Sequence, residues 1–215
     1  MRPLQVRRPD HRVWLRVADP AWSDPLDPSF ARVHGGRWNP PGSFDTLYLN
    51  GGLRAARGQI ARLLAGQPVA MEDLDDAAPF LLVAATLPRR QTAADAVSDP
   101  GLTALGLPPA YPRDPAGEPV PHSVCQQIGA AVRRSGLRGV WCRSATSGEG
   151  EGDGDGDRRE LAWFPARSSS RARPVRSAPF PFGRWRHART LADLGLPTPR
   201  IPSSGDSLAG GGWEN

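Results

Sequence analysis

Lysine is absent from this chain of 215 residues, and all 27 of its basic residues are arginine. A protein whose cations were selected for one ligand would rarely exclude lysine, so the absence indicates a coding bias such as that of a GC-rich genome. The net charge of +5 is compatible with phosphate ligands or with nucleic acid. The arginines are scattered, however, and their densest group lies near the C-terminus, with few aromatic residues between them. Salt-sensitive binding of nucleic acid through that region is therefore the least favoured interpretation.

Cysteine is nearly absent as well. The two cysteines, Cys125 and Cys142, form no CxxC pair, and the position of Cys142 in an apolar segment is typical of a small buried residue. The four histidines are His11, His34, His122 and His187. None of them has the spacing of metal ligands, so we expect no zinc site and no metal cofactor.

Long apolar runs are also missing. No stretch reaches the length that spans a bilayer. The charged beginning, "MRPLQVRRPD", is not followed by the apolar region of a signal peptide. We therefore expect a cytoplasmic protein with reduced cysteines and no membrane contact.

The acidic stretch "SGEGEGDGDGDRRE" comes close to a calcium-binding loop. With Glu149 as position one, acids occupy positions one, three and five, Gly154 is at six and Glu160 at twelve. Position one is Glu where Asp is preferred, position eight is glycine where an apolar residue packs, and no helix is expected to enter the loop. We therefore interpret the stretch as a solvated surface loop.

Hydrophobic periodicity predicts both strands and helices. Strands are expected in "RVWLRVAD", "TLYLN", "PFLLVAATLP", "RGVWCRSA" and "ELAWFP", and helices in residues 53–65, "SDPGLTALG" and "PHSVCQQIGAAVRRSG". Asp99 is expected to cap the second of these helices, and Gly136 to end the third.

The composition changes to Arg, Ser, Pro and Gly after Pro165. We therefore expect one domain over residues 1–166 and an extension over residues 167–215 that is partly disordered. The segment "GRWRHARTLADLG" could add one amphipathic helix to this extension.

The stretch "HGGRWNPPGSFDTLYLN" holds Arg37 between two glycines and a Pro-Pro-Gly turn. A guanidinium is a rigid fork of donors suited to phosphate, and the glycines let a backbone approach a ligand closely. Tyr48 follows just before a predicted helix, whose N-terminus favours an anion. These features suit a nucleotide, although Arg37 could equally bond loop carbonyls.

The motifs "GGRWNPPG…LYLN", "CQQIGAAVRRSGLRGVWCRSA" and "RRELAWF" resemble the signature of the RES-domain family over residues 12 to 166. Members are best known as toxins of bacterial toxin–antitoxin pairs. The resemblance implies an α+β fold like that of ADP-ribosyltransferases, with a mixed β core, flanking helices and a cleft for NAD. It also implies cleavage of the nicotinamide–ribose bond of NAD, by hydrolysis, phosphorolysis or ADP-ribosyl transfer, and a helix-turn-helix antitoxin as partner.

The resemblance assigns roles by position. It gives NAD binding to Arg37, to Arg16 in the first strand and to Tyr48, and it gives a catalytic role to Ser144. The glutamate of the family lies on the helix after the tyrosine, and that position here is Gln59.

A neutral amide at Gln59 supplies no negative charge to the oxocarbenium-like state that develops when the nicotinamide–ribose bond breaks. Three alternatives follow. Gln59 suffices for catalysis, or Glu160 beside the last strand replaces the missing acid, or the chain is a catalytically weakened nucleotide-binding module with a regulatory role.

Overall fold

The computed structural model describes residues 3–145, 158–165 and 172–197. Within these ranges the chain forms one mixed sheet of eight strands with five α-helices, which confirms the α+β expectation. The strands are β1 (Val6–Arg7), β2 (Val13–Ala18), β3 (Leu47–Asn50), β4 (Leu81–Thr86), β5 (Ala93–Ala96), β6 (Gly139–Arg143), β7 (Arg159–Trp163) and β8 (Arg173–Pro174). The helices are α1 (Ser29–His34), α2 (Leu53–Leu64), α3 (Asp99–Leu105), α4 (His122–Arg134) and α5 (Phe182–Trp185).

The strands lie in the order β1-β5-β6-β7-β3-β2-β4-β8. Only β5 and β6 pair in parallel, and the crossover between them carries α3 and α4, as a parallel connection requires. The other neighbouring strands pair antiparallel.

The register of the central strands defines two faces of the sheet. Paired residues of antiparallel strands project to the same face. Leu15 pairs with Asn50, and Asn50 pairs with Glu160, so these three side chains share what we call the first face. Trp14 and Leu161, one position away along their strands, project to the second face.

Each face buries its own apolar side chains. On the first face, α2 and the segment around α5 cover one cluster that includes Leu15, Ile60 and Trp185. Helices α3 and α4 cover a second cluster on this face. The second face buries a cluster that includes Trp14 and Trp163.

Strands β2 and β3 are joined by the single residue pair Leu15–Asn50. By contrast, β2 pairs with β4 over six residues and β3 pairs with β7 over four. The pairing is lost beyond Leu15–Asn50, where the register would place Arg16 opposite Leu49 and Val17 opposite Tyr48. We call this gap in the sheet the β2–β3 opening.

The predicted helices are present with small shifts in their ends. The α3 helix is capped by Ser98 rather than Asp99, because Ser98 has the extended backbone of an N-cap and its Oγ accepts a hydrogen bond from the Gly101 amide at 3.3 Å. Gly136, at φ 90°, follows the end of α4 as predicted. No helix of the described residues is both long and apolar enough to cross a membrane.

The described part of the C-terminal extension, residues 172–197, packs on the same core as α2. Phe180, Phe182 and Trp185 are fully buried there, and the Arg57 guanidinium on α2 donates to the carbonyl oxygens of Trp185 and Ala188. In place of one amphipathic helix, this segment contains α5 and a short 3-10 turn. The boundary at residue 166 stays a prediction, and most of the acidic stretch and the last dozen residues lie outside the described ranges.

Candidate functional site

The loop of residues 35–39, which we call the arginine loop, is held by side chains from neighbouring elements. The Tyr48 hydroxyl accepts a hydrogen bond from the Trp38 amide at 2.9 Å and donates one to Asn39 Oδ1 at 2.7 Å. Asn39 Nδ2 in turn donates to the Ala31 carbonyl oxygen at 2.6 Å. Burial raises the pKa of Tyr48, so the phenol keeps the proton that it donates. Tyr48 therefore fixes the shape of the loop that carries Arg37.

Two glycines let this loop pack closely. A Cβ at Gly36 would lie 2.4 Å from the Tyr48 hydroxyl oxygen, and a Cβ at Gly129 on α4 would lie 1.9 Å from the Trp38 carbonyl oxygen. Helix α4 also reaches the loop through Gln126, whose Nε2 donates to the Gly36 carbonyl oxygen at 2.9 Å. The loop is thus clamped between β3 and α4 with no room for larger side chains.

Three buried hydrogen-bond donors around this loop make no hydrogen bond of good geometry among the described residues. They are Nη1 of Arg37, Nε1 of Trp38 and the hydroxyl of Tyr111. Arg37 and Tyr111 lie beside each other, and Trp38 lies beside the Cys142 thiol. The rings of Trp38 and Tyr111 lie 5.9 Å apart and both residues are about 1% exposed. A buried donor without a partner costs roughly 1–3 kcal/mol, so each one calls for an explanation. Oxygen atoms of a bound anion would satisfy such a group.

Arg37 carries its charge among neutral side chains. Burial, the largest influence, lowers the pKa of Arg37, but Tyr111 and the two buried cysteine thiols outweigh it, so the pKa lies above its ordinary value. The Tyr111 hydroxyl is adjacent to the guanidinium without the geometry of a hydrogen bond. His122 at the start of α4 is close enough to be affected by this charge. Burial lowers the pKa of His122 most, and the charges of Arg37 and Arg62 lower it further. Arg37 is therefore charged, with no carboxylate among the principal influences on its pKa.

A cavity of about 460 Å³ lies between Arg16 on β2 and helix α1, and none of residues 35–39 lines it. Arg16 and Trp22 line one part of it, and His34, directly before the arginine loop, lines another. Its volume falls within the roughly 300–1,000 Å³ typical of small-molecule sites.

Arg16 differs from Arg37 in its partners. Its guanidinium lies 5.3 Å from the ring centre of Trp22, and Nη1 donates to the Asp27 carbonyl oxygen at 3.2 Å. Burial lowers the pKa of Arg16 to about 10, while the carboxylates of Asp24 and Asp27 oppose the shift. Arg16 is therefore charged at neutral pH, with its charge already balanced.

A polar cluster of four side chains lies on the first face, beside the paired end of the β2–β3 opening. Asn50 Nδ2 donates to Gln59 Oε1 at 2.9 Å, and the Ser144 hydroxyl donates to Glu160 Oε1 at 2.5 Å. Asn50 and Glu160 are direct neighbours across β3 and β7. The two hydrogen-bonded pairs therefore form one cluster.

The residues predicted from the sequence fall into three places. Arg37 and Tyr48 form the arginine loop and its support, Gln59 and Ser144 belong to the polar cluster, and Arg16 lies on the second face, in the cavity. The sequence did not indicate Tyr111, which follows a loop with no distinctive motif. The sequence did not indicate Asn50 either, because its place beside Glu160 depends on the pairing of β3 with β7.

Metal ligation finds no support in the part of the chain that the structure describes, where no group of three or more His, Cys, Asp or Glu side chains is suitably arranged. Both cysteines are buried. Most of the stretch that resembles a calcium loop, residues 149–157, lies outside the described ranges.

Comparisons with known proteins identify the family and the fold. The model of the RES domain matches residues 6–184, which includes the arginine loop and the polar cluster. No curated protein matches the chain in sequence. The fold is similar to a chain in the crystal structure of the M. tuberculosis MbcT–MbcA toxin–antitoxin complex, with a TM-score of 0.61 at 20% identity, over 81% of this chain and 87% of that chain. At this identity the likeness establishes the fold alone.

Proposed function

This chain belongs to the RES-domain family, and from that premise we propose that it is a toxin-type protein that binds NAD and cleaves its nicotinamide–ribose bond. In this proposal the arginine loop holds the pyrophosphate, the nicotinamide ribose lies on the first face near Tyr48, and the cavity lined by Arg16 takes part of the rest of the dinucleotide. Arg37 and Tyr48 are the principal binding residues, and Arg16 contributes from the cavity.

The observation that carries the proposal is the buried Nη1 of Arg37, which has no partner among the described residues. A guanidinium that only shaped its loop would bond to loop carbonyls, as Arg16 does with Asp27. The loop is instead shaped by Tyr48, Asn39 and Gln126, so Nη1 of Arg37 is not used to hold the loop. A pyrophosphate provides the paired oxygen atoms that a guanidinium fork binds best.

The chemistry asks for one further group. When the C–N bond to nicotinamide breaks, its electron pair leaves with the nicotinamide nitrogen and positive charge develops on the ribose. An acceptor oxygen then bonds to the anomeric carbon and releases its proton; with water as acceptor the products are nicotinamide, ADP-ribose and a proton. A carboxylate near the ribose stabilises this state more than the ground state, so it raises the rate.

An alternative function is a nucleotide-binding module that has lost most of its activity and regulates through binding. The observation that favours it is Gln59, where the resemblance implies a glutamate. The Gln59 amide is uncharged, and its oxygen atom is already occupied by Asn50.

An antitoxin partner forms part of the main proposal. The similar solved structure is a toxin–antitoxin complex, and a protein that consumes NAD would need such an inhibitor in the cell that produces it. A helix-turn-helix antitoxin is the partner that we propose.

The test is release of nicotinamide from NAD by the purified protein, with and without phosphate. We expect turnover in the wild type and a loss of about a hundredfold or more in Arg37→Ala, since removing one donor to the reacting ligand commonly costs that much. Arg134→Ala, which removes an exposed arginine on α4, is the matched control and should keep full activity. Greater turnover with phosphate would identify phosphorolysis.

Two results would contradict the proposal. Saturable NAD binding without turnover would favour the regulatory module. Neither binding nor turnover would remove NAD as the ligand.

A further inference from the structure

We propose that Glu160 on β7 supplies the carboxylate that stabilises the developing ribose cation, in place of the acid that is absent at Gln59. This inference rests on the proposed NAD cleavage and identifies the group that performs it. In this proposal the carboxylate that the family resemblance implies on helix α2 is provided instead by strand β7, on the same face of the sheet.

The position of Glu160 follows from the register of the sheet. Glu160 pairs with Asn50 on one side and with Cys142 on the other, so its side chain projects to the first face. Tyr48 lies two residues before Asn50 and therefore on the same face. The pKa of the Cys142 thiol is affected by the charges of both Glu160 and Arg37, so both groups lie near this thiol.

Gln59 and Glu160 converge on Asn50 from two elements. Asn50 donates its amide hydrogen to Gln59 Oε1 and is the cross-strand neighbour of Glu160. Paired Cβ atoms of adjacent strands lie roughly 4.5–5.5 Å apart. A carboxylate on Glu160 is thus within side-chain reach of the space that a carboxylate at residue 59 would occupy.

Ser144 positions this carboxylate. Its side chain is 5% exposed, and its hydroxyl donates to Glu160 Oε1 at 2.5 Å, a length typical of a bond to an ionised acceptor. The Ser144 amide is itself fixed by a bond to the Arg158 carbonyl oxygen at 2.8 Å. Glu160 is half-buried, and the Ser144 hydroxyl holds one of its carboxylate oxygens.

The step balances with water as the acceptor. The C–N bond breaks with its electron pair on nicotinamide while the Glu160 carboxylate faces the cationic ribose. Water adds to the anomeric carbon, and its proton passes to the carboxylate and then to solvent. Glu160 is regenerated as a carboxylate, and no other reactant is needed.

The experiment exchanges the charge between the two positions. We would measure kcat for nicotinamide release and the Kd for NAD in Glu160→Gln, Gln59→Glu and the double variant, with Glu118→Gln as a control on an exposed acid. Glu160→Gln should lower kcat by about a hundred- to a thousandfold and leave Kd nearly unchanged. The double variant, which restores one carboxylate at residue 59, should recover most of the lost kcat. The control should match the wild type.

Ser144→Ala separates a positioning role from a structural one. In the wild-type background it should lower kcat by roughly tenfold, the effect of one charge-assisted hydrogen bond. In the Glu160→Gln background it should have no further effect, because the group through which it acts is gone. A purely structural role would lower activity equally in both backgrounds.

The outcomes distinguish this inference from the proposed function. An active wild type with an equally active Glu160→Gln would overturn the role of Glu160 and leave NAD cleavage intact. A wild type that does not release nicotinamide would overturn both. A Glu160→Gln variant that loses NAD binding together with kcat would reassign Glu160 to binding and also contradict the inference.

Discussion

The two arginines of the candidate site, Arg37 and Arg16, are both largely buried, yet their surroundings differ in one decisive respect. Arg16 lies over Trp22, donates to a backbone carbonyl and faces two carboxylates. Arg37 lies among a phenol and two thiols, with one nitrogen buried and no hydrogen-bond partner for it among the described residues. The protein itself provides the partners of Arg16, whereas our proposal assigns a ligand to Nη1 of Arg37.

A buried arginine is evidence for a ligand only when the protein provides neither hydrogen-bond acceptors for its guanidinium nor carboxylates near its charge. The carboxylates of Asp24 and Asp27 offset part of the cost of burying the Arg16 charge. Arg16 also lines the cavity. The loop that carries Arg37 is held by hydrogen bonds of other side chains, so its shape does not depend on the Arg37 guanidinium. Three predictions test this difference.

The largest effect is expected when the two arginines are truncated in parallel. Arg37→Ala should weaken NAD binding by about 2–5 kcal/mol, the usual cost of removing one member of a buried charge pair. Arg16→Ala should weaken it by about 1 kcal/mol, since its lost hydrogen bond is to the protein. Isothermal titration with NAD measures both.

Arg37→Lys refines the comparison, because it keeps the charge and loses the planar fork. Affinity between those of Arg37→Ala and the wild type is expected. Equal losses for Arg37→Ala and Arg16→Ala would show that the two arginines share the anion and that the contrast is mistaken.

A smaller effect is expected from Gly129→Ala, which disturbs only the Arg37 side. The new methyl group would press on the Trp38 carbonyl oxygen, and overpacking of this kind costs about 1–3 kcal/mol. Urea unfolding should show this loss in the free energy of unfolding, together with weaker NAD binding. Gln127→Ala, an exposed change on the same helix, is the control and should stay within about 0.5 kcal/mol of the wild type. A Gly129→Ala protein of unchanged stability would mean that the loop is not clamped.

The smallest effect concerns His122. Burial, Arg37 and Arg62 lower its pKa, so His122 in the folded protein gains its proton at a lower pH than the ordinary value of about 6.5. Arg37→Ala removes one of the depressing charges, so the pKa of His122 should rise. Arg16→Ala should leave it unchanged. NMR titration of the imidazole resolves the two cases, and an unmoved His122 in Arg37→Ala would show that the charge of Arg37 is neutralised after all.

The pH dependence of stability follows from the same shift. The folded protein disfavours the imidazolium, so the unfolded state binds more protons between the two pKa values. His122 therefore lowers stability as the pH falls below about 6.5.

The sequence was sufficient for elements with strong periodicity and clear ends. Helix α4 was predicted from its apolar stripe and Gly136, and β2 and β4 from their apolar runs. It was insufficient for β5, because "AADA" lacks the β-branched and aromatic residues that mark strands. There the fold depends on Asp95, which is buried and accepts hydrogen bonds from Arg7 and from Ser98 at 2.8 and 2.7 Å. A hydrogen bond between residues as distant in sequence as Arg7 and Asp95 cannot be read from a local sequence pattern.

The candidate site was predictable residue by residue but not as an arrangement. The motif around Arg37 indicated a rigid cation, and the structure explains the rigidity through Tyr48. Arg16 and Tyr48 lie on opposite faces because of the register between β2 and β3. A shift of one residue in that register would move the side chains of one strand to the other face. The pairing of Ser144 with Glu160 joins residues on either side of the acidic stretch, and no spacing rule predicts it.

The single pair Leu15–Asn50 has a consequence for how the protein is kept intact. Within the described residues, the sheet is divided at this point into a five-strand and a three-strand part that share one rung of backbone pairing. In the proposed complex, a dinucleotide would contact Arg16 of β2 and also Arg37, whose loop is supported by Tyr48 of β3. The ligand would therefore link the two parts of the sheet. By mass action, a ligand at a hundred times its Kd adds about 2.7 kcal/mol to the stability of the state that binds it. Under the proposed function, the protein would resist proteolysis while NAD is plentiful and become easier to degrade as NAD is consumed.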